Sequence, residues 1–72
     1  MPESVYKVIE LVGSSPESWE KATAAAVKSA AQSLRDLRVA EVVQLDVHIG
    51  KDGSIESYRS KIRVSFKFEG HG

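Results

Sequence analysis

The stretch EVVQLDVHIGKDGSIESYRSKIRVSFKF, residues 41–68, contains two runs of alternating apolar and polar side chains with a short polar segment between them. A period of two is typical of a β-strand that buries one face. We therefore predict strands at Glu41 to Ile49 and at Glu56 to Phe68. The intervening Gly50-Lys51-Asp52-Gly53 ends in Asp-Gly, a common signal for a tight turn. The stretch predicts an antiparallel β-hairpin.

The same alternation sorts the side chains of the hairpin into two faces, because successive residues of a strand point to opposite sides. The predicted apolar face consists of Val43, Leu45, Val47, Ile49, Tyr58, Ile62, Val64, Phe66 and Phe68. The predicted polar face consists of Gln44, Asp46, His48, Arg59, Lys61, Arg63, Ser65 and Lys67. Such a polar face is either plain solvent surface or the wall of an assembly.

Upstream of the hairpin, the sequence predicts one strand and one helix. Val5 to Val12 is rich in β-branched residues and is followed by Gly-Ser, which indicates a strand. Ser15, Pro16 and Glu17 favour a helix start, with Ser15 as the cap and Pro16 in the first helical position. A stripe with helical spacing, running to about residue 37, contains Trp19, Ala22, Ala26, Val27, Ala30, Leu34 and Leu37. The predicted fold is α+β, in the order β-α-β-β, with a three-stranded antiparallel sheet wrapped on one helix.

Length and composition favour one small domain, residues 1–72, that needs partner subunits or a hard metal ion for stability. A core of this size is marginally stable, and the absence of cysteine excludes disulfides and thiolate metal sites. The chain carries 10 basic and 10 acidic residues, so no net charge attracts it to nucleic acid or to a membrane. Neither a secretory signal nor a membrane-spanning run is visible, and we expect a cytoplasmic protein. Glu69 to Gly72 is expected to be a tail.

The sequence contains no pattern that predicts an enzyme. Its two histidines, His48 and His71, are expected on a strand face and in the tail. Nucleophile-elbow, Walker and dinucleotide-binding motifs are absent, and Asp52-Gly53 lacks the spaced acidic residues of a calcium-binding EF-hand loop. The basic residues of the second hairpin strand could follow a phosphate backbone, but aromatic side chains do not alternate with them. A solvated or intersubunit ion-pair face is the favoured interpretation.

Three oxygen-bearing side chains are candidate ligands for a hard cation. Glu17 lies at the predicted helix start, and Gln44 and Asp46 alternate on the polar face of the hairpin. Carboxylate and amide oxygens suit Ca²⁺ or Mg²⁺, but Ca²⁺ takes 6–8 oxygen ligands. One chain could not supply these from three side chains, whereas copies around a symmetry axis could. The alternative is that all three are solvated surface residues.

These segments, taken together, resemble the dodecin family over about residues 5–69. The resemblance rests on VYKVIELVGSSP at residues 5–16, LRDL at 34–37, EVV at 41–43 and VSFKFE at 64–69. The family has the same β-α-β-β order. It implies that twelve copies assemble into a hollow shell, which would stabilise so small a core. The shell would make the protein a homododecamer that binds or stores a small ligand.

Most dodecins bind flavin, and the resemblance assigns two positions of this chain to that pocket. The tryptophan on which flavin rings stack corresponds to Val39, and a glutamine that bonds the ring corresponds to Arg59. Valine has no π face for stacking, and arginine cannot accept a hydrogen bond. Trp19 does not replace the missing ring, because it lies on the predicted core stripe. Riboflavin or FMN is therefore the alternative ligand rather than the first.

The sequence is similar to the calcium dodecin subgroup through SPESWE at residues 15–20 and RDLRVAEV at 35–42. The subgroup implies a shell that binds Ca²⁺. Positions associated with cations in the family correspond to Glu17 and Gln44, and Asp46 is added for its charge and its shared face with Gln44. We therefore expect a calcium-binding storage shell, with ions at subunit junctions.

Overall fold

The computed structural model describes residues 3–67, which form three strands and one helix. These are β1 (Tyr6–Ser15), α1 (Trp19–Ser33), β2 (Leu37–Ile49) and β3 (Ile55–Lys67). The β-α-β-β order and the antiparallel sheet confirm the predicted α+β fold. Within the described range, no helix is long and apolar enough to cross a membrane. The predicted tail, with His71, and the end of the predicted third strand at Phe68 lie outside this range.

Strand β3 lies in the middle of the sheet, between β1 and β2, and is antiparallel to both. Residues directly opposite one another in an antiparallel pair share a face of the sheet. Ile62 therefore has Leu11 on one side and Val42 on the other, and these three point toward the helix. The intervening residues of β3 point away from it.

The helix packs through a stripe of alanines onto the centre of the sheet. Ala22, Ala26 and Ala30 are buried, and Ile62 and Val64 of β3 are buried beneath them. Gly13 of β1 makes this close approach possible, because a Cβ at this position would lie 2.1 Å from the carbonyl oxygen of Ala22. This packing confirms the alanines of the predicted core stripe, whereas the predicted core position of Trp19 is wrong, because its side chain is 37% exposed at the start of the helix.

The predicted start of the helix is wrong by three residues. Ser15 is the last residue of β1 and pairs with Tyr58 of β3, and its hydroxyl accepts a hydrogen bond from the amide of Glu17, in a segment that is not yet helical. Ser18 is the cap instead, and its hydroxyl oxygen accepts a hydrogen bond from the amide of Lys21. The long-range ladder to β3 overrides the local Ser-Pro-Glu signal.

The predicted end of the helix near Leu37 is also wrong. The helix ends at Ser33, and Leu34 and Leu37 reach the core from the connection and from β2. Asp36 turns the chain with a φ of 59°, in the left-handed region that asparagine and aspartate tolerate better than most residues. Apart from Trp19, the stripe pattern therefore identified side chains that are buried in the core or packed against it, but it continued past the end of the helix. Strands β1 and β2 are correspondingly longer than predicted.

A register shift in β2 corrects the predicted apolar face of the hairpin. Val42 lies opposite Ile62 and Leu45 lies opposite Ser60, with the irregularity between Val42 and Gln44. Val42 therefore takes the helix-facing position predicted for Val43. A β-bulge of this kind inserts an extra residue in one strand and reverses the alternation around it. The predicted hairpin turn is confirmed, with Gly53 at a φ of 85°.

The helix leans over β1 and β3 and barely touches β2. Val42 and Leu45, on the helix-facing side of β2, are therefore about half exposed, and Val39, Val43 and Ile49 of the same strand are exposed as well. The radius of gyration is 15.1 Å, whereas a compact domain of this length would have about 11 Å. The isolated chain is thus extended, with apolar surface that its own helix leaves uncovered.

Candidate functional site

The sheet surface opposite the helix forms a regular array of rows, three of which carry charged residues, and we call this surface the polar face. Each row takes one residue from β1, one from β3 and one from β2, because β3 pairs with both neighbours. The rows are Ser14–Arg59–Asp46, Val12–Lys61–Gln44, Glu10–Arg63–Glu41 and Val8–Ser65–Val39. The predicted polar side chains of β2 and β3 therefore do share one face, and β1 adds Glu10 to it.

Asp46 and Arg59 form a two-point ion pair across β2 and β3. The Nε and Nη2 atoms of Arg59 donate to the two carboxylate oxygens of Asp46 at 2.7 and 2.9 Å. This geometry is the strong, planar form of a guanidinium–carboxylate contact. The hydrogen bond from Arg59 lowers the pKa of Asp46, and the carboxylate in turn raises the pKa of Arg59. Both groups are charged at neutral pH.

A second cluster on the polar face joins all three strands through Arg63. Its Nε and Nη2 atoms donate to one oxygen of Glu10 at 3.2 and 2.8 Å. Its Nη1 lies 3.7 Å from a carboxylate oxygen of Glu41. The hydrogen bond from Arg63 lowers the pKa of Glu10. In contrast to Asp46, Glu10 keeps one oxygen outside this contact.

The three predicted cation ligands are not brought together by one chain. Gln44 and Asp46 are neighbours on the polar face, in adjacent rows. Glu17 lies ahead of the helix cap, where its carboxylate pairs with Lys21. Among residues 3–67, no three acidic or histidine side chains are arranged to hold a metal. The donors match calcium in kind, but one chain supplies too few of them.

The two positions assigned to a flavin pocket are also far apart. Val39 and Arg59 both lie on the polar face, but two rows lie between them, because Val39 is opposite Ser65 and Arg59 is opposite Asp46. Six residues of strand span about 20 Å. Val39 is 60% exposed, and Arg59 is engaged by Asp46. A ligand could contact both positions only if it lay between copies of the chain, with Val39 from one copy and Arg59 from another.

Two open grooves lie on the other side of the sheet, between α1 and β2. One, of about 300 Å³, is lined by Trp19, Glu20, Thr23, Val42 and Leu45. The other, of about 270 Å³, is lined by Val27, Leu37, Arg38, Val39, Ala40 and Val64. Both result from the tilt of the helix away from β2. Their apolar lining is suited to side chains of a neighbouring protein surface rather than to a polar ion.

Sequence reasoning missed the glutamates of the Arg63 cluster and the pairing of Asp46 with Arg59. Glu10 and Glu41 carry the negative charge that could pair with an arginine, and both lie in predicted strands, so the sequence contained a signal for this cluster. The missing information was strand order, because only a central β3 places Arg63 between Glu10 and Glu41. The pairing of Asp46 with Arg59 depended on hairpin register, which shifts between His48 and Ile49, next to the turn.

Comparison with known proteins identifies the family. The Dodecin family model matches residues 5–69, and the chain belongs to the dodecin family. Among its relatives is the calcium dodecin of Mycobacterium tuberculosis, 52% identical over 64 residues, or 89% of each chain. The dodecin of Thermus thermophilus is 40% identical over 65 residues, or 90% of this chain and 93% of the relative. The predicted resemblance to calcium dodecins is confirmed.

Solved structures share the complete fold. The crystal structure of the M. tuberculosis calcium dodecin has a TM-score of 0.83 at 48% identity, covering 96% of this chain and 97% of the other. That protein is described as a calcium-chelating immunodominant antigen with a novel calcium-binding site. The dodecin of Streptomyces coelicolor has a TM-score of 0.89 at 34% identity, covering 99% and 100%.

Proposed function

We propose that this chain is the subunit of a closed homododecamer that binds and stores calcium ions at its subunit junctions and catalyses no reaction. The observation that carries the proposal is the 52% identity, over 89% of the chain, to a relative named calcium dodecin. The proposed ligands are Glu17, Gln44 and Asp46, whose oxygens have the hard character that calcium prefers.

Assembly is supported because the buried core of the single chain is small while large apolar side chains are exposed. The buried apolar residues of the described chain are three alanines, one isoleucine and one valine. By contrast, Val42 and Leu45 remain about half exposed on the helix-facing side of β2. A second copy seated there would bury this surface, and each Å² of apolar area removed from water contributes about 25 cal/mol.

Assembly also explains how too few donors could make a site. Symmetry around an axis would repeat the same carboxylate at each junction, where like charges repel one another. A divalent cation between them would neutralise this repulsion, and water would complete its coordination shell. The ion would bind only the folded assembly and would therefore stabilise it.

Flavin binding is less well supported by the local structure. The stacking position holds Val39, which has no aromatic ring, and Arg59 is already bonded to Asp46. An absorption spectrum of the purified protein tests this alternative directly. A yellow preparation, or quenching of added riboflavin or FMN fluorescence at micromolar concentrations, would favour flavin.

The proposal is tested by light scattering and elemental analysis of the purified protein, followed by thermal melting with and without a chelator. We expect a dodecamer that contains calcium and melts at a lower temperature after chelation. Adding calcium back should restore the melting temperature, whereas magnesium at the same concentration should restore less. A stable monomer would contradict the assembly, and a metal-free dodecamer with an unchanged melting curve and no calcium uptake would contradict the calcium role.

A further inference from the structure

The carboxylate of Asp46 is the only proposed calcium ligand held by a guanidinium at both of its oxygens, within the part of the chain that the structure describes. Glu17 pairs with a flexible lysine through one oxygen, and its side chain is 61% exposed. The Asp46 side chain is only 36% exposed. The candidate ligands therefore differ in how freely they can accept a cation.

A guanidinium and a calcium ion compete for the same lone pairs. A carboxylate that binds Ca²⁺ directs one or both oxygens at the ion, at 2.3–2.6 Å. The two-point contact with Arg59 occupies both oxygens of Asp46 and places a positive charge where the ion would approach. The guanidinium must move away before the ion can bind, and while it remains near it repels the ion.

We propose that Arg59 is a built-in competitor for calcium at Asp46, and that it weakens calcium binding by holding this carboxylate until the ion displaces it. This inference rests on the proposed function. It assigns Arg59 a regulatory role in setting calcium affinity, in place of a contact with flavin. Because the pair is partly exposed, the competition should change affinity by a modest factor rather than abolish binding.

The test compares two variants that remove the same charge from the same strand face. Arg59→Gln releases Asp46, whereas Arg63→Gln removes the partner of Glu10 and leaves the Asp46 contact in place. Calcium titration by calorimetry should give a dissociation constant about threefold lower for Arg59→Gln, as for loss of an exposed ion pair. The shift for Arg63→Gln should be clearly smaller. Equal shifts would indicate a general charge effect and would overturn the inference.

A double-mutant cycle separates competition from any other effect of Arg59. In an Asp46→Asn background, Arg59→Gln should leave calcium affinity unchanged, because the contested carboxylate is gone. Arg59→Lys is the conservative control: it keeps the charge, loses the planar two-point contact, and should give an intermediate affinity. A full effect of Arg59→Gln in the Asp46→Asn background would overturn the inference.

The two-point contact between Arg59 and Asp46 can also be tested by a measurement that requires no calcium. The carboxyl ¹³C resonance of Asp46, followed by NMR in chelator, should titrate at higher pH in Arg59→Gln and at an unchanged pH in Arg63→Gln. An unchanged Asp46 titration in Arg59→Gln would show that the pair is absent in solution and would overturn the inference alone. If wild-type protein and both variants all fail to bind calcium saturably, the proposed function fails and the inference fails with it.

Discussion

The indole Nε1 of Trp19 donates a hydrogen bond to the main-chain carbonyl of Asp46 at 3.0 Å. The first residue of α1 is thereby joined to the residue of β2 whose side chain holds Arg59 on the opposite face of the sheet. Trp19 also contacts Tyr58 edge to face, with ring centroids 5.1 Å apart. These contacts fasten the start of the helix to the hairpin at a place where the helix otherwise leaves β2 uncovered.

We expect Trp19→Phe to lower the free energy of unfolding by about 1 kcal/mol, the usual net value of one hydrogen bond. Phenylalanine can keep the edge-to-face contact with Tyr58 but cannot donate to Asp46. Urea denaturation followed by circular dichroism measures the change, at a fixed protomer concentration because unfolding is expected to be coupled to assembly. Tyr58→Phe keeps the ring contact and should be nearly neutral. Equal stability of Trp19→Phe and wild type would mean that the hydrogen bond contributes nothing.

Gly13→Ala should destabilise the protein by about 2 kcal/mol or more. The added methyl group would lie 2.1 Å from the carbonyl oxygen of Ala22 and 2.9 Å from the Cβ of Ala26, so the helix would have to move off the sheet. Gly50→Ala is the matched control, because its added methyl group would lie 3.4 Å from its nearest neighbour, the Oδ1 of Asp52, in ordinary contact. Thermal melting compares the two variants. A Gly13→Ala protein as stable as Gly50→Ala would contradict the close packing of α1 on β1.

Replacing Leu45 by lysine should prevent assembly while leaving the fold of each chain intact. Leu45 is 48% exposed in the single chain and lines the groove between α1 and β2, so a charge there would be buried on association. Light scattering should detect smaller species, and circular dichroism should retain the helix and sheet signals. The control Gln32→Lys adds the same charge at an exposed position on α1. If Leu45→Lys forms the same assembly as wild type, this surface is not an interface.

Acid should destabilise the protein through the ion pairs of the polar face. The pKa values of Glu10 and Asp46 are lowered from 4.5 and 3.8, chiefly by hydrogen bonds from Arg63 and Arg59. A carboxylate whose pKa is lower in the folded state stabilises the fold above its unfolded pKa. That contribution is lost as pH falls through the folded pKa. The melting temperature should therefore drop as pH falls below 4.5.

The variant Arg63→Gln tests this assignment, because it removes the cation that lowers the pKa of Glu10. Wild type should be the more stable of the two at neutral pH, and the difference should shrink as Glu10 becomes protonated. Differential scanning calorimetry across the acid range measures both curves. A difference that stayed constant down to about pH 2 would show that the Glu10–Arg63 pair is not its source.

Much of the fold could be predicted because its signals are local and repeated. The alternation of β2 and β3 and the four-residue spacing of Ala22, Ala26 and Ala30 each involve several residues that agree with one another. Predictions that rested on a few neighbouring residues were less accurate. The Ser15-Pro16-Glu17 helix start was wrong because Ser15 pairs with a residue more than forty positions away, Tyr58.

The residues of the candidate site could be predicted from the sequence, but the ion pairs that they form could not. Asp46, Gln44 and Arg59 could be named from charge and alternation, and the structure places them on one face. Which carboxylate each arginine holds depends on strand order and register. Neither is encoded in a single segment, since order follows from packing the whole sheet against the helix.

Residue spacing along single segments was enough to predict the element order, the buried alanine stripe, the polar face of the hairpin and the family resemblance. Four features could be established only from the folded chain: β3 is central, Ser18 caps the helix, a bulge turns Val42 toward the core, and Arg59 holds Asp46. These features depend on contacts between segments distant in the chain. Their free energies arise only when the strands and the helix are packed together.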